Sequence, residues 1–260
     1  MEIYINCDRN KETAIKTSEK LVEYCNKLNI IVTEDVESAD IIFSIGGDGT
    51  FLESARLSVN AKIIGVNCGT LGYLTDIKPD DLEKSLESIL NDDFYIEKRM
   101  MLDGEILKGD GSVVSIPPAL NEIAISKNTF GVVRFDAIVD DKLINSYTAD
   151  GILVCTPTGS TAYNLSCGGP IVDPTAEILT LTPIAPHSVI NRSIILSDTS
   201  EVKIKITELR DNTSSYVLFD GRPIEVTTGD VVRIRKSDFS TNIIKLNWQS
   251  FIDNVRNTIN

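Results

Sequence analysis

The residues with the clearest chemical potential form the segment Gly46-Gly47-Asp48-Gly49-Thr50. An apolar run at 41–45 precedes it and predicts a buried strand, while a helical pattern at 51–57 follows. Glycines at such a turn let the backbone approach a ligand closely, and a helix N-terminus favours phosphate. Asp48 would then either hold a metal ion or act on a hydroxyl that attacks the phosphate. A tight turn with a solvated aspartate is the alternative that this segment leaves open.

Two common phosphate-binding patterns do not fit this segment. It lacks the Gly-Lys-Ser/Thr ending of a Walker A loop and the Gly-x-Gly-x-x-Gly of a dinucleotide fingerprint. It resembles instead the GGDGT signature shared by NAD kinases, by the diacylglycerol and sphingosine lipid kinases and, more distantly, by phosphofructokinases. That resemblance implies ATP-dependent phosphorylation of a hydroxyl group and leaves the acceptor open.

Four further segments carry residue types that suit nucleotide binding. They are a second glycine loop at 65–73, the pair Asn121-Glu122, the pair Asp150-Gly151 and the hydroxyl-rich stretch 156–166. Ligands bind beyond the carboxyl ends of the strands in an open parallel sheet, so the two glycine loops can line one crevice. Judged alone, each segment also fits an ordinary turn or a helix cap.

The elements that would position these residues change in type along the chain. Strands are predicted at 2–7, 30–33, 41–45 and 62–66, and they alternate with helices predicted at 11–28, 51–59 and 79–90. Alternation of this kind indicates a parallel sheet covered by helices. From Met100 onward short β-rich stretches separated by turns predict antiparallel sheets in a sandwich. We therefore expect an α/β domain at 1–98, a β-sandwich domain at 99–240 and a C-terminal segment, 241–260, with a helix at 248–259, that packs back on the first domain.

Composition and net charge limit the kinds of partner that the protein can bind. The net charge of −13 argues against nucleic acid, because neutralising its phosphates takes clustered Lys and Arg. The five cysteines are scattered without a Cys-x-x-Cys pair, which favours a reducing compartment and disfavours a zinc site. No apolar run of transmembrane length or signal peptide is found. We expect a cytoplasmic protein without membrane attachment, and we expect Mg²⁺ to accompany an anionic nucleotide.

Taken in order, the motifs resemble the bacterial NAD kinases. The likeness rests on GGDGT at 46–50, the loop 67–73, Asn-Glu at 121–122, Asp-Gly at 150–151 and TPTGSTAYNLS at 156–166. It implies phosphorylation of the 2′-hydroxyl of the adenosine ribose of NAD by ATP, which gives NADP. It also implies a Rossmann-like α/β N-terminal domain, an all-β sandwich C-terminal domain, Mg²⁺ or Mn²⁺ with ATP, and a homo-oligomer, either a tetramer or a dimer.

The resemblance assigns roles position by position. Asp48 matches the catalytic carboxylate that accepts the ribose proton, with Gly49 beside the same substrate, and the phosphate loop comprises Gly46, Gly47, Gly49 and Thr50. Asn121 and Glu122 match the pair that binds the adenosine part of NAD. Residues matching the rest of the dinucleotide site are Thr148, Asp150, Thr161, Ala162, Tyr163, Asn164, Leu165 and Ser166. Asp220 and Arg222 are candidates for further contacts, and no metal ligand is assigned to a protein side chain.

Two positions depart from the family pattern. Glu53 stands where many members carry Arg or Lys. A carboxylate there removes a contact to nucleotide phosphates, and Arg56, one helical turn further on, is a candidate to supply that contact instead. Thr148 replaces an Arg found in some members, and we expect it to relax the choice between NAD⁺ and NADH.

Two alternatives to an NAD kinase remain open from the sequence. A lipid kinase of the GGDGT group would need an apolar acceptor pocket and a basic membrane-facing patch, and a net charge of −13 gives that little support. A non-catalytic NAD(H) sensor would keep the pocket, but it would have no need of an intact Asp48.

Overall fold

The computed structural model describes residues 1–58, 61–69, 72–75, 77–127, 131–187, 191–209, 215–246, 251–252 and 255–256. The prediction of a helix at 248–259 therefore lies largely outside the described residues. The chain divides into two compact units, one formed by Met1–Arg99 with Ser240–Asn260 and the other by Met100–Phe239. The boundaries fall inside two long strands rather than in linkers.

The first unit is an α/β domain. Its strands are β1 (Glu2–Cys7), β2 (Ile31–Val32), β3 (Ile41–Gly46) and β4 (Lys62–Asn67), and its helices are α1 (Glu12–Lys27), α2 (Asp48–Leu57) and α3 (Leu82–Leu90), the last preceded by a 3₁₀ turn at Pro79–Asp81. Apolar spacing explains α1, which buries Ala14, Leu21 and Cys25 along one face. The predicted alternation of strands and helices is confirmed.

The strand order in this unit is β2-β1-β3-β4, with every described pair parallel. From β1 the chain passes to β2 on one side, whereas β3 lies on the other, so the order reverses between β1 and β3. In open α/β sheets this reversal opens a crevice at the carboxyl ends of the two strands, where ligands bind. The segments that follow β1 and β3, at 8–11 and 46–50, therefore occupy the ligand-binding edge of this sheet.

Helix α2 begins earlier than its apolar pattern predicts. The prediction placed it at 51–59, whereas it runs over Asp48–Leu57 with Gly47 as the extended residue before it. An aspartate in the first helical turn is stabilised by the positive end of the helix dipole, so the polar residues of the GGDGT loop themselves form that turn. Ser58 returns to an extended conformation and ends the helix.

The second unit is an antiparallel β domain. Its described strands are β5 (Tyr95–Leu107), β6 (Val113–Ala119), β7 (Glu122–Lys127), β8 (Val133–Val139), β9 (Lys142–Ala149), β10 (Gly151–Cys155), β11 (Ile178–Ile184), β12 (Ile194–Ser197), β13 (Val202–Leu209), β14 (Ser215–Phe219), β15 (Arg222–Val226) and β16 (Val231–Lys245), with a 3₁₀ turn at Thr158–Thr161 and a short helix, α4, at Tyr163–Ser166. Strands β5 and β16 both begin in one unit and end in the other.

Two sheets share the core of the second unit. One runs β12-β11-β10-β7-β14-β15, and the other contains β13 between β16 and β8, with β9 beyond β8. Their inward side chains form one apolar cluster that includes Ile125, Phe135, Val154 and Ile204. A core built from two antiparallel sheets confirms the predicted sandwich. Only short β-rich stretches were predicted here, but β16 runs over Val231–Lys245 and pairs in parallel with β4 through Asn242 and Ile243.

The cysteine thiols and the helices add two observations. All five cysteines are free thiols, and burial raises the pKa of Cys25 to about 11 and that of Cys155 to about 12. At neutral pH these two thiols stay protonated and are poor nucleophiles. Within the described residues, every helix is too short or too polar to cross a lipid bilayer.

Candidate functional site

The GGDGT loop and the second glycine loop meet at one carboxylate. Asp48, the first residue of α2, accepts hydrogen bonds from the backbone N–H of Tyr73 at 2.9 Å and of Leu74 at 3.2 Å. The Thr75 hydroxyl donates a third at 3.4 Å. The backbone N–H of Cys68 also donates to the Gly46 carbonyl at 2.7 Å. The structure therefore brings together the two glycine loops.

The two oxygens of Asp48 are not equivalent. Oδ1 accepts from both Leu74 and Thr75, which uses its two lone pairs, whereas among the described residues Oδ2 accepts only from Tyr73. A half-buried carboxylate oriented by three donors, with acceptor capacity left on Oδ2, suits a group that takes a proton from a hydroxyl.

Glycine at position 72 is required by this arrangement. A Cβ added to Gly72 would lie 2.2 Å from Asp48 Oδ1 and 2.8 Å from its Cγ. Both distances are far below van der Waals contact, so any side chain there would displace the carboxylate.

A lysine that sequence reasoning missed lies beside both loops. A Cβ built on Gly47 would be 3.5 Å from Lys11 Nζ, and one built on Gly69 would be 3.4 Å from it. The ammonium forms an ion pair with Asp8 at 3.4 Å, and its side chain remains 41% exposed. Lys11 follows β1 at the point where the strand order reverses, and that topology is the signal that could have identified it.

In the second unit, Asn121 and Glu122 are tied to two other predicted segments. The backbone N–H of Thr156 donates to the Asn121 carbonyl at 2.9 Å, and a Cβ on Gly159 would lie 2.2 Å from the same oxygen. The Asp220 carboxylate accepts from the backbone N–H groups of Asn121 and Glu122. The structure thus assembles 121–122, 156–159 and Asp220 within one unit.

Glu122 is the most perturbed acid in the described chain. Its side chain belongs to a residue only 8% exposed, and Oε2 has no hydrogen-bond partner among the described residues. Burial, together with the negative charge of Asp220, raises the pKa of this carboxyl to about 8. Buried acids with raised pKa values cluster at functional sites, because an unpartnered carboxyl is costly elsewhere.

The stretch 156–166 folds as two short helical turns with different exposures along it. Asn164 is fully buried and its amide bonds Ser160, Pro170 and Thr182, so this side chain supports the loop. Tyr163 is half-buried, and Leu165 and Ser166 are exposed. Burial is the main cause that raises the pKa of the Tyr163 phenol, which therefore stays protonated at neutral pH. Thr161 and Ala162 are half-buried between the two turns.

The remaining predicted contacts lie at strand ends and edges. Asp150 forms an ion pair with Lys127. Thr148, on β9, is half-buried and stands opposite Arg134 of β8, whose guanidinium pairs with Glu208. Arg222 is exposed at the start of β15.

Family models match both units of the chain. The ATP-NAD kinase N-terminal domain matches residues 3–94, and the ATP-NAD kinase C-terminal domain matches residues 120–246. The NAD kinase of Caldanaerobacter subterraneus subsp. tengcongensis is 41% identical over 230 residues, which cover 87% of this chain and 80% of that protein. The chain belongs to the NAD kinase family. The resemblance drawn from the motifs is confirmed.

Solved structures of NAD kinase relatives share the fold. Yeast NADH kinase complexed with NADH superimposes with a TM-score of 0.89 at 23% identity, covering all of this chain and 87% of that one. An NAD kinase from Archaeoglobus fulgidus in complex with ATP gives 0.79 at 25% identity, covering 99% and 96%. The α/β domain and the β domain described above are therefore those of NAD kinases.

The contact between Gly72 and Asp48 predicts a sharp effect of one methyl group. Gly72→Ala should lower kcat for NAD phosphorylation by about 10²-fold, since a displacement of about 1 Å at a catalytic group has that consequence. Gly109→Ala is the matched control, because a Cβ there meets nothing within 4 Å. Steady-state kinetics and thermal melting of both variants test this. A folded Gly72→Ala enzyme with wild-type kcat would show that the position of the Asp48 carboxylate does not determine turnover.

Proposed function

We propose that this protein transfers the γ-phosphoryl group of ATP to the 2′-hydroxyl of the adenosine ribose of NAD, giving NADP and ADP. The observation that carries the proposal is the Asp48 carboxylate, which three donors orient and which keeps acceptor capacity on Oδ2 among the described residues. Family membership supports the same reaction.

Asp48 takes the proton in this scheme. The ribose 2′-oxygen forms a bond to the γ-phosphorus while the bond from phosphorus to the β–γ bridging oxygen breaks, and its electron pair leaves with ADP. The hydroxyl proton passes to Asp48 Oδ2. The hydrogen bonds from Tyr73, Leu74 and Thr75 keep the carboxylate from turning away as it does so.

The dinucleotide is bound by residues of the second unit. Asn121 and Glu122 bind the adenosine part of NAD, while Asp150 and the residues from Thr161 to Ser166 line the rest. The raised pKa of Glu122 supports this assignment, because a neutral acid does not repel the pyrophosphate and can both donate to and accept from ribose hydroxyls. For Asn164 only backbone contacts are proposed, since its amide is engaged within the protein.

ATP is bound as its Mg²⁺ or Mn²⁺ complex. Within the described residues there is no cluster of three His, Cys, Asp or Glu side chains that would hold a metal by itself. Mg²⁺ keeps several waters and binds mainly through substrate phosphates, so the proposal assigns it to ATP and not to a protein side chain. The ion neutralises charge on the triphosphate, and Lys11 and the backbone of the loop 46–50 bind the phosphates. Lys11 thereby supplies the cation that Glu53, exposed on α2, does not.

The domain roles, assembly and compartment follow the same proposal. The α/β domain at 1–98 binds the donor and presents Asp48, the β-sandwich at 99–240 binds NAD, and the segment at 241–260 belongs with the first domain. A homo-oligomer in the cytoplasm is the expected form, and the five free cysteines support a reducing compartment.

The proposed reaction is tested by incubating the protein with ATP, Mg²⁺ and NAD and detecting NADP with an NADP-specific dehydrogenase. Asp48→Asn should lower kcat by about 10²–10⁴-fold while NAD still binds, because an amide cannot accept the proton. Asp35→Asn is a matched control, since Asp35 also accepts a backbone N–H, at 3.1 Å from Glu37. Near-wild-type turnover in a folded Asp48→Asn enzyme would show that another group takes the proton.

Lys11 should act on the donor and not on the acceptor. Lys11→Met should raise KM for ATP by about 10–100-fold, the usual effect of losing a hydrogen bond to a charged group, with KM for NAD little changed. Lys16→Met is the control, since Lys16 lies in α1, the helix that begins directly after Lys11, and pairs with Glu12 at 2.6 Å. Equal KM values for ATP in the wild type and Lys11→Met, or a rise in KM for NAD alone, would remove Lys11 from the phosphate site.

Because Thr148 replaces an Arg found in some family members, we expect this enzyme to accept NADH as well as NAD⁺. A short neutral hydroxyl senses the charge and shape of the nicotinamide ring less than a long cationic side chain does. The wild type should therefore phosphorylate NADH measurably, and Thr148→Arg should shift the ratio of kcat/KM values toward one acceptor. A wild type inactive on NADH, or an unchanged ratio in the variant, would contradict this prediction.

A further inference from the structure

Asp220 lies in a tight hairpin that its own backbone explains. It and Gly221 form the two-residue connection between β14 and β15, with φ values of +44° and +81°. Positive φ at both central residues is the signature of a type I′ turn, for which Asp-Gly is a favoured sequence. The turn favours Asp, Asn or Gly at position 220 because these residues adopt a positive φ readily, and this preference does not depend on the charge of the carboxylate.

The carboxylate of Asp220 serves a different segment instead. Oδ2 accepts the backbone N–H of Leu120 at 2.9 Å, and Oδ1 accepts those of Asn121 at 2.9 Å and Glu122 at 3.3 Å. The Asp220 N–H in turn donates to the Glu122 carbonyl at 3.2 Å. Three consecutive N–H groups therefore converge on one anion, and the anion stabilises the backbone conformation that brings them together.

Removing the anion would leave buried donors without an acceptor. Leu120 is fully buried, and Asn121 and Glu122 are each 8% exposed. An unsatisfied buried N–H is energetically costly, so the segment would change conformation in preference to keeping three of them. Such a change would move the two side chains that the proposed function assigns to the adenosine part of NAD.

We propose that Asp220 acts on NAD through the segment 120–122, as a positioning residue that fixes Asn121 and Glu122. This inference rests on the proposed function and goes beyond one expectation within it. The sequence suggested Asp220 as a further direct contact, and the three backbone donors on its carboxylate give it this positioning role.

Asp220 also affects the charge of Glu122. Four described groups interact electrostatically with Glu122, namely Asp220, Cys155, Cys167 and Tyr163. The Tyr163 backbone N–H also donates a hydrogen bond to the Glu122 carboxyl. None of these described groups is a cation. The pKa of Glu122, about 8 against an ordinary 4.5, means that the side chain is neutral at pH 7 and becomes an anion as the pH rises through 8. Affinity for the anionic dinucleotide should therefore be retained below pH 8 and fall above it.

The test is Asp220→Asn, which keeps the hairpin because Asn-Gly also favours a type I′ turn. KM and Kd for NAD should rise about 10–100-fold, with KM for ATP unchanged and kcat within a few-fold. The loss of NAD affinity with rising pH should also move to lower pH, because the charge that raises the pKa of Glu122 is gone. A purely structural role for Asp220 would not shift that profile.

Asp140→Asn is the matched control. Asp140 also has a positive φ, +48°, in a hairpin turn, and its carboxylate accepts the backbone N–H of Glu201 at 2.9 Å and the Ser200 hydroxyl at 3.1 Å. This variant should lose comparable stability and keep the wild-type KM and pH profile for NAD. The same rise in KM for NAD in Asp140→Asn would reduce the effect at Asp220 to general destabilisation and overturn the proposal.

A second variant keeps the proposal testable if Asp220→Asn does not fold. Glu122→Gln removes the titrating group, so the fall in NAD affinity between pH 7 and pH 9 should disappear, whatever the affinity at pH 7. A fall like that of the wild type would show that Glu122 does not set the pH dependence and would overturn the proposed action of Asp220 on the charge of Glu122. A wild type that forms no NADP contradicts the proposed function, whereas NADP formation with unchanged KM for NAD in Asp220→Asn contradicts this inference alone.

Discussion

The hydrogen bonds between Asp48 and the backbone at Tyr73 and Leu74 are the interaction on which the arrangement of the two glycine loops in the first unit depends. They join two loops that follow neighbouring parallel strands, and they fix the orientation of the Asp48 carboxylate. Gly72 and Gly65 are required for this reason, since a Cβ at Gly72 would lie 2.2 Å from Asp48 Oδ1 and one at Gly65 would lie 3.0 Å from the Leu74 carbonyl oxygen and from Thr75 Cα. The glycine pattern thus reflects close packing around Asp48 as well as room for phosphate.

A second constraint is electrostatic. A chain with a net charge of −13 must bind two anionic nucleotides, so each site needs a local remedy. In the first unit Lys11 lies against both glycine loops. In the second unit the proposed remedy is the removal of a charge, because burial and Asp220 raise the pKa of Glu122 to about 8. The two devices are independent and lie on different units.

Much of this could be predicted from the sequence, and the exceptions have physical reasons. The strand–helix alternation, the β-rich second half and the chemistry of Asp48 follow from periodicity and from residue types. Lys11 was missed because it has no motif of its own and is placed only by the order of β1 and β3. The roles of Asn164 and Asp220 depend on which atoms their side chains bond, and those contacts arise from tertiary packing that no local pattern encodes. The length of β16 was not predicted because charged residues in its middle interrupt the apolar pattern that indicates a strand, although the strand continues through them.

The central claim is that the 2′-hydroxyl of the adenosine ribose of NAD, the group that Asp48 is proposed to deprotonate, receives the phosphoryl group. The most direct measurement compares NAD with 2′-deoxyadenosine NAD, an analogue that lacks this hydroxyl, by following binding calorimetrically and product formation by ³¹P NMR. The account predicts that NAD yields a 2′-phosphate, whereas the analogue binds within about tenfold of NAD and receives no phosphate. Phosphorylation of the analogue, or a product from NAD that carries its phosphate elsewhere, would contradict the account.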